Sequence, residues 1–512
     1  MLTGPFDASC GRDKVRGRPC RDGNPRPSAP GKDHMRHLWP AAAGSVLLAV
    51  AVSGASAVAP ASGRATVPLA DAVTIGPDAI HILDGVLNKP PTTAFCEEHY
   101  HIACYLPKQI QQAYNLPRLY KRKITGRGQT IVIVDSFGSP TVQRDLTRFD
   151  KAAGLPAPPS LKVIHPAGKV PPYKPDADRE GWAGETDLDV EYAHTIAPGA
   201  RILLVETPTS ENEGTTGFPQ IVAAEKFVIS HHLGGVISQS FSATEQTFAS
   251  KQSLLALRGA YLDAARSGVT MLAASGDSGA ADVKFNEVTY YLHPVTSWPD
   301  SDPLVTAVGG IRLHLSASGR NVKPPTVWND TYNVATSEFV NGNAGPNPLA
   351  SGGGKSVVFT RPSYQNGVRG IVGHSRGVPD VSMSAACNGS ADMYQSFPGQ
   401  SAGWYPTCGT SEATPEFAGI VALADQVAGH RLGAINPYLY QLSARHAPGI
   451  VDVATGNNTV SFRQGGKLHT VHGFHARPGY DLASGIGTVN APDFVPELAA
   501  AADRRHTARL GG

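Results

Sequence analysis

The composition of this 512-residue chain is that of a globular protein with a sizeable core, because 41% of its residues are hydrophobic and 17% are charged. A formal net charge of +2 gives no electrostatic basis for binding nucleic acid or an anionic membrane. The 55 glycines and 41 prolines fit a loop-rich extracellular enzyme better than a helical bundle.

The start of the chain has the pattern of an export signal. Residues 1–34 are rich in Arg, Pro, Gly and Asp and lack an apolar period, which indicates a disordered extension, so translation is expected to begin at Met35. Residues 35–59 combine a basic start, an apolar run and Ala-x-Ala sites, as signal peptides do. The alternative, a membrane anchor, needs a longer apolar run. We therefore expect a secreted, extracellular protein without membrane association after signal removal.

An α/β pattern follows a short lead-in over residues 60–104 and extends to residue 500. Apolar, β-branched runs typical of strands buried on both faces occur at 129–134, 201–205, 235–238, 269–273 and 304–308. Helices are predicted between them at 141–153, 184–196, 219–232 and 252–266. This alternation predicts one domain with a doubly wound, mainly parallel sheet and helices on both faces. Residues 311–354 are predicted as loops and edge hairpins, and residues 501–512 as a tail.

The cysteines show no zinc-binding spacing. They form three local pairs: Cys10 with Cys20, Cys96 with Cys104, and Cys387 with Cys408. None has C-x-x-C spacing, which disfavours zinc. In a secreted chain, the last two pairs are candidate disulfides.

A candidate nucleophile lies in the string Gly-Thr-Ser-Glu-Ala-Thr-Pro at 409–415, which precedes an apolar run at 417–424. A turn of small residues that delivers a serine to a helix N-terminus exposes its hydroxyl, and backbone N–H groups there can hold an oxyanion. This pattern predicts Ser411 as an acyl-transfer nucleophile. The alternative is a helix N-cap without chemistry.

A candidate base lies in the predicted helix at 184–196. Glu185 and Asp189 are four residues apart and share a helical face. Two such carboxyl groups can share a proton, so that one acts as a base and the other orients it. The alternative is a solvated acidic face. Asp187 and Glu191 are expected to point elsewhere.

A third candidate is Asp277, in the string Ala-Ser-Gly-Asp-Ser-Gly at 274–279. The string directly follows a predicted strand, and ligand crevices form at the carboxyl ends of strands in open parallel sheets. By itself the string is also compatible with a simple tight turn.

Together these motifs resemble two related peptidase families, the subtilases and the sedolisins (serine-carboxyl peptidases). Subtilases place an H-G-[ST]-H histidine between the aspartate of the first strand and the serine. Here Asp135 ends the first strand, but no such histidine precedes Ser411. The nearest imitation, at 472–475, follows the serine and is predicted to be an exposed loop. The string G-E-x-x-L-D, followed by A-P-G-A, closely resembles the sedolisin motif. The resemblance therefore favours the sedolisins, and it extends across residues 105–496.

The resemblance implies a subtilisin-like fold and a secreted serine-type peptidase that hydrolyses peptide bonds of protein or peptide substrates at acidic pH. It assigns Glu185 as general base, Asp189 as the carboxylate that positions it, and Asp277 to the oxyanion hole. An acid can donate to an oxyanion only while protonated, hence the acidic pH. Endopeptidase and tripeptidyl-peptidase action both stay open. A catalytically silent member that binds peptides or cell-wall material is the alternative.

The resemblance also implies one structural Ca²⁺ ion. Its ligands would be the side chains of Asp452 and Asp481 and the carbonyls of Val453, Arg477 and Gly479. An all-oxygen set of this kind suits calcium rather than zinc. Family members usually carry a small residue at the position of Arg477, but a carbonyl ligand tolerates any side chain.

Two further expectations concern activation and assembly. Sedolisins typically carry a long folded prosegment, whereas residues 60–104 are too few for an independent domain. Activity is therefore expected to be controlled differently, either by folding without a prodomain or by an inhibitor in trans. The protein is expected to be a monomer.

Overall fold

The computed structural model describes residues 80–81, 87–341 and 345–510. All of them belong to one compact unit, Leu69–Gly512, and the remaining unit, Met1–Pro68, lies outside the described residues. The predicted extension at 1–34, the predicted signal peptide at 35–59, and the pair Cys10 and Cys20 therefore fall outside the described part of the chain.

The described residues form short strands and longer helices in alternation. The strands are β1 Ile80–His81, β2 Cys104–Tyr105, β3 Thr130–Ser136, β4 Leu161–Ile164, β5 Arg201–Thr207, β6 Val236–Gln239, β7 Ala243–Thr244, β8 Thr270–Ala274, β9 Ser297–Trp298, β10 Thr306–Arg312, β11 Thr326–Val327, β12 Gly354–Thr360, β13 Ser375–Val378, β14 Val381–Ser384, β15 Ser390–Gln395, β16 Gly403–Cys408, β17 Ile450–Val451, β18 Val460–Gln464, β19 Lys467–Val471 and β20 Thr488–Val489. The helices are α1 Thr93–Tyr100, α2 Pro107–Ala113, α3 Pro117–Tyr120, α4 Val142–Ala153, α5 Ala177–Ile196, α6 Phe218–Ser230, α7 Lys251–Ala256, α8 Gly259–Ser267, α9 Val334–Asn341, α10 Arg369–Val372, α11 Thr410–Ala428, α12 Asn436–Ala444 and α13 Ala491–Leu510. Two 3₁₀ turns occur at Glu245–Thr247 and Ser363–Val368.

A sheet of eight strands organises the molecule, in the order β11-β10-β8-β6-β3-β5-β4 with β14 beside β10. Every pairing is parallel except that of β10 with β11. The strand order reverses around β3, because β4 and β5 lie on one side of it and β6, β8 and β10 on the other. In such sheets the crevice for ligands opens at this reversal, at the carboxyl ends of the strands. The predicted subtilisin-like, doubly wound sheet is confirmed.

Both faces of the sheet are covered, as the apolar runs predict. Along β3, Ile131 and Ile133 enter the core that contains α5 and α11, whereas Val132 and Val134 enter the core that contains α6 and α8. This alternation follows from the two-residue period of a strand. A central strand buried on both sides must therefore be apolar at every position, up to its carboxyl end.

Several boundaries differ from the prediction. Helix α5 starts two turns earlier, at Ala177, because the Asp176 side chain caps it by accepting the Arg179 N–H at 3.0 Å. The predicted helix at 252–266 is two helices, α7 and α8, and the second begins at Gly259, a poor helix former. Strand β10 runs to Arg312 through two glycines, a residue type that usually weakens strands.

Two segments are more ordered than predicted. The region predicted as loops and hairpins, 311–354, contains helix α9 as well as β11. Helix α13 continues through Leu510, so the predicted tail at 501–512 is largely helical. Ala501 and Ala502 are buried in the core, and this tertiary packing holds the helix where an Ala- and Arg-rich sequence offers no strong apolar period.

Both predicted disulfides are present. Cys96–Cys104 has an S–S distance of 2.03 Å and Cys387–Cys408 one of 2.05 Å. The first links α1 to β2, so part of the lead-in at 60–104 belongs to the compact unit. None of the helices among the described residues is long and apolar enough to span a membrane.

Candidate active site

Ser411 lies in the first turn of α11, which follows directly in the chain after the turn that ends β16. Gly409 caps the helix with φ of 135°, a conformation that L side chains rarely adopt. The Ser411 side chain is buried, and its Oγ has no hydrogen-bond partner among the described residues. The first N–H groups of a helix have no acceptor one turn earlier in the helix. Of those next to Ser411, the Thr410 N–H donates to Asp277 and the Glu412 N–H donates to the Gly409 carbonyl. Cys408, immediately before the turn, is held by the disulfide to Cys387.

The face of α5 that carries the acid pair packs against α11. Glu185, Asp189 and Ala193 follow one another at helical spacing, and Ile196 extends the same face. Near its end this face meets Gly419 of α11, where an added Cβ would lie 2.6 Å from the Ile196 Cβ.

The two helices run in the same direction. Tyr192 of α5 interacts electrostatically with Glu412 and Glu416, near the start of α11, whereas Ile196 meets Gly419 further along it. Ser411 and Asp189 each lie about two helical turns before that contact. The fold therefore brings the serine level with the acid pair.

Glu185 and Asp189 form a connected pair. Their side chains hydrogen-bond to each other, and Ser240 donates its hydroxyl to Asp189 Oδ1 at 2.8 Å. Burial, reinforced by the nearby charge of Asp135, raises the pKa of Asp189 well above its usual range. The bond with Glu185 acts in the opposite direction and lowers the Asp189 pKa, so the two carboxyl groups share a proton, and this bond orients Glu185.

Asp135 is a third carboxyl group beside the pair and is not among the residues predicted for the site. It lies near the carboxyl end of β3, where the strand order reverses. Burial raises its pKa to about 7, and the nearby Thr186 side chain, whose hydroxyl donates to the Trp182 carbonyl at 2.8 Å, partly lowers it. The available signal was its position at the end of the first strand.

The rest of the acidic helix is not a solvated face. Asp187 and Glu191 are buried, and both point to other partners, as predicted. Ser139 donates to Asp187 Oδ2 at 3.2 Å, and the Tyr394 N–H donates to Glu191 Oε2 at 3.0 Å. Residues 182–196 of α5 are buried throughout, which excludes the surface-helix alternative.

Asp277 lies on the turn after β8 and reaches the start of α11. Its Oδ1 accepts the Thr410 N–H at 2.7 Å and the Thr410 hydroxyl at 2.8 Å. Its Oδ2 has no hydrogen-bond partner among the described residues. Burial raises the pKa of Asp277 to about 7, although both bonds from Thr410 act to lower it. The predicted oxyanion residue is thus tied to the residue before Ser411.

The glycine-rich stretch at 351–354 supports this turn. A Cβ on Gly352 would lie 1.7 Å from the Ser275 carbonyl oxygen, so only glycine fits there. The Gly352 N–H donates to the Gly276 carbonyl at 2.6 Å, and the Ala350 N–H donates to that of Asp277 at 2.9 Å. The close backbone approach holds the Asp277 turn in place.

The histidines of the imitation motif do not belong to this site. His472 and His475 are exposed and follow the hairpin of β18 and β19, as the sequence predicts for a loop.

The predicted calcium ligands lie in two adjoining loops. The Gly479 N–H donates to Asp452 Oδ2 at 3.1 Å, and the Arg477 N–H donates to Asp481 Oδ2 at 3.0 Å. The Ser484 hydroxyl is 3.3 Å from the Val453 carbonyl and 3.1 Å from Asp481 Oδ1, so these two acceptors converge.

The donor set fits a hard cation. Within the described residues, no group of three or more His, Cys, Asp or Glu side chains is placed to hold a metal ion. An ion between these loops would therefore rely on two carboxylates and on backbone carbonyls, a set that suits calcium and not zinc.

Comparisons with known proteins agree with this geometry. A family model described as the subtilase family matches residues 180–466. A solved structure, Pseudomonas sedolisin (serine-carboxyl proteinase) complexed with two molecules of pseudo-iodotyrostatin, superposes with a TM-score of 0.63 at 25% identity. The match covers 78% of this chain and 99% of that one. Fold and site together define a subtilisin-like α/β protein with a serine and a carboxyl pair in place of a serine and a histidine.

Sequence relatives narrow the class further. Kumamolisin of Bacillus sp. (strain MN-32) is 32% identical over 392 residues, covering 75% of this chain and 62% of the relative. Sedolisin of Pseudomonas sp. (strain 101) is 29% identical over 367 residues, covering 72% of this chain and 57% of the relative. Tripeptidyl-peptidase 1 of Homo sapiens is 28% identical over 337 residues, covering 62% of this chain and 52% of the relative. The chain belongs to the subtilase family, in its sedolisin branch, and the matches span about three fifths or less of these relatives' length.

Proposed function

We propose that this protein is a secreted serine-carboxyl peptidase that hydrolyses peptide bonds of proteins at acidic pH. The observation that carries the proposal is the parallel packing of α5 on α11, which sets the Glu185 and Asp189 face level with Ser411. The relatives include a sedolisin, described as a serine-carboxyl proteinase, and a tripeptidyl-peptidase. Endopeptidase and tripeptidyl-peptidase action are both compatible with this site.

The proposed reaction is an acyl transfer in two steps. Ser411 Oγ attacks the scissile carbonyl carbon while Glu185 takes the hydroxyl proton, and Asp189 orients Glu185. Asp277 and the Ser411 N–H stabilise the oxyanion. Glu185 then passes the proton to the leaving amine, and a water molecule, activated by Glu185, hydrolyses the acyl-enzyme to release the acid and restore the serine.

The acidic optimum follows from the oxyanion hole. Asp277 Oδ1 is occupied by two donors from Thr410, so a proton on Oδ2 is the group that can donate to an oxyanion. Burial raises the pKa of Asp277 to about 7, so this proton is present at acidic pH. Activity should fall as the pH rises through about 7, because the ionised carboxylate repels the oxyanion.

The test compares peptide hydrolysis at pH 4 and pH 7 by the wild type and by the variants Glu185→Gln and Ser411→Ala. Both variants should lose at least about 100-fold in kcat, since each removes a reacting group. The matched control is Glu191→Gln, the same change on the same buried helix, which should keep most of the activity.

Full activity in either variant, or an optimum well above neutrality, would contradict the assignment. A wild type that binds peptides without hydrolysing them would favour the catalytically silent alternative.

We also propose that the loops at 452–453 and 477–481 bind one structural Ca²⁺ ion through Asp452, Val453, Arg477, Gly479 and Asp481. The convergence of Asp481 and the Val453 carbonyl on one hydroxyl supports this. A chelator should lower the melting temperature of the wild type, because an ion that binds only the folded state stabilises it.

The variant Asp481→Ala should no longer respond to the chelator, whereas Asp263→Ala, on the exposed side of α8, should respond like the wild type. An unchanged wild-type melting temperature after chelation would argue against the ion.

Secretion is part of the proposal and rests on the pattern at 35–59. Substrates would be proteins or peptides, and the protein would act as a monomer. N-terminal sequencing of the exported protein would test the signal, and light scattering would test the assembly.

A further inference from the structure

We propose that the cavity beside the acid pair is a substrate subsite in which Arg179 binds a carboxylate of the peptide. This inference deepens the proposed function and rests on it. The cavity has a volume of about 450 Å³, within the range of ligand pockets. It is lined by the segment that follows β3, by the end of β4 and by the first turn of α5.

Arg179 is held in the cavity without a directly bonded anion among the described residues, and its charge acts on Glu206 at longer range. It is 8% exposed and forms no ion pair within the described part of the chain. Its Nη2 donates to the Pro171 carbonyl at 3.1 Å, whereas its Nε is buried and has no acceptor among the described residues. A buried cation without a directly bonded counter-ion is costly, so a site for an anion explains its retention better than packing does.

The guanidinium is also preorganised. Its carbon lies 4.2 Å from the centre of the Phe137 ring and 5.6 Å from that of Tyr173, and all three side chains line the cavity. Such stacking fixes the plane of the guanidinium and leaves its edge free to donate. A planar fork of N–H donors matches a carboxylate, which it can bind with two parallel hydrogen bonds.

The charges of the cavity wall favour an anion. Among the described residues that line it, Glu206 alone carries a carboxyl group, which is paired with His165 at 2.7 Å and also feels the Arg179 charge. Arg144 also lines the cavity, with 66% of its side chain exposed, and its charge is paired with Asp145 at 3.6 Å, while its guanidinium donates to Ser396. Two further carboxylates near Tyr173 do not line the cavity. Glu180 accepts a hydrogen bond from the Gln400 side chain, and Asp176 accepts one from the Arg179 N–H.

The cavity adjoins the candidate active site. The Glu206 charge acts on Asp135, and the Asp135 charge acts on Asp189, so the cavity wall and the acid pair are within electrostatic reach. Gly138 makes this approach possible, because a Cβ there would lie 1.9 Å from Glu206 Oε1. A peptide bound at Ser411 can thus place a carboxylate in the cavity. That carboxylate can come from an Asp or Glu side chain or from the peptide C-terminus.

The experiment measures kcat/KM at pH 5 for two sets of matched peptides. In the first set, each position around the scissile bond carries Glu or its neutral isostere Gln. In the second, the C-terminus is a free acid or an amide. The wild type should prefer the charged peptide at one position of one set by about tenfold, the effect of one charge-assisted hydrogen bond. The responding set identifies the source of the carboxylate.

Variants assign the preference to Arg179. Arg179→Gln should bring the ratio of charged to neutral peptide close to one, and Arg179→Lys should keep part of it, since lysine retains the charge but not the fork. The control, Arg118→Gln, removes an exposed arginine on α3 and should keep the wild-type ratio. The wild-type ratio is measured on the unmodified protein and so tests the subsite even if Arg179→Gln unfolds.

Two outcomes would overturn the inference: wild-type ratios within about twofold of one in both sets, or a preference that survives Arg179→Gln. If the wild type cleaves no peptide, the proposed function fails first. The same labelled peptides, titrated into Ser411→Ala by fluorescence anisotropy, then decide the subsite alone. Equal binding of charged and neutral peptides would reject it.

Discussion

At the scale of single residues, the candidate site is governed by burial of carboxyl groups. Asp135 and Asp277 both have pKa values raised to about 7 by burial, and that of Asp189 is raised well above its usual range. Hydroxyl groups act in the opposite direction, since Ser240 donates to Asp189 and Thr410 donates to Asp277. The protonation state at the site is therefore set by a balance between desolvation and a few hydroxyl groups.

Thr410 provides a test of this balance. The Thr410→Val variant loses the hydroxyl that donates to Asp277 Oδ1 at 2.8 Å, and because that bond lowers the Asp277 pKa, its loss should raise it. We expect kcat to fall by about tenfold, as the carboxyl group is less well positioned, and the alkaline limb of the pH profile to move to higher pH. Peptide hydrolysis between pH 3 and pH 9 measures both effects.

The matched control is Thr414→Val. This buried threonine on the same helix donates to the Thr410 carbonyl at 2.8 Å and does not contact Asp277. It should leave the alkaline limb unshifted. If the alkaline limb of the pH profile were the same in the wild type and in Thr410→Val, Asp277 would not control that limb.

At the scale of elements, the site depends on how closely α5 and α11 approach each other. Gly419 allows this approach, because an added Cβ would lie 2.6 Å from the Ile196 Cβ and 3.4 Å from the Ala193 carbonyl oxygen. Both helices are buried over most of their length, so neither can tilt away into solvent. The distance between serine and acid pair is thus decided by one glycine two turns away.

The variant Gly419→Ala should push the two helices apart. We expect a loss of about 1–3 kcal/mol in the free energy of unfolding, typical of overpacking. We also expect kcat to fall by more than the smaller fraction of folded protein explains, because the reacting groups would be misplaced. Denaturant unfolding and active-site titration measure the two effects separately.

Gly370→Ala on α10 is the control, because no atom of the described residues lies within 4 Å of a Cβ added there. It should be neutral or slightly stabilising, since alanine favours a helix. If Gly419→Ala retained full stability and full kcat, the helix contact would not set the geometry of the site.

At the scale of the whole molecule, the number of buried carboxyl groups links stability to pH. Asp135, Asp150, Asp277 and Asp425 all have pKa values raised from 3.8 to about 7, with burial as the largest cause. In the unfolded chain they ionise near pH 4, whereas in the folded protein they stay protonated to about pH 7. Between these values the unfolded state binds fewer protons, so stability falls as the pH rises.

The melting temperature should therefore be highest near pH 4 and decrease towards pH 7, as measured in the Ser411→Ala background to prevent self-digestion. In the same background, Asp425→Asn should reduce this decrease, because the amide oxygen can still accept the Leu432 N–H, which lies 3.0 Å from Asp425 Oδ1, but cannot ionise. The exposed Asp263→Asn should leave the decrease unchanged. A melting temperature that is constant or rises between pH 4 and pH 7 would contradict the argument.

Much of the fold was predictable from local patterns. The continuous β-branched runs indicated the parallel sheet, and the helical segments between them indicated its two covered faces. The boundaries that were missed depend on other information: Asp176 caps α5 from a region without apolar period, and α13 is held by core contacts at Ala501 and Ala502. Local propensity does not contain such contacts.

For the candidate site, the sequence alone identified the candidate reacting groups, and the tertiary structure decided their setting. The serine before a buried helix, the carboxyl pair four residues apart and the strand-end turn with Asp277 are local motifs, readable because helical and strand periods place them. Only the fold added Asp135 to the pair, tied Asp277 to Thr410, and placed Arg179 in a cavity beside them. The physical reason is that burial and neighbouring charge, which set protonation and binding, arise between segments far apart in the chain.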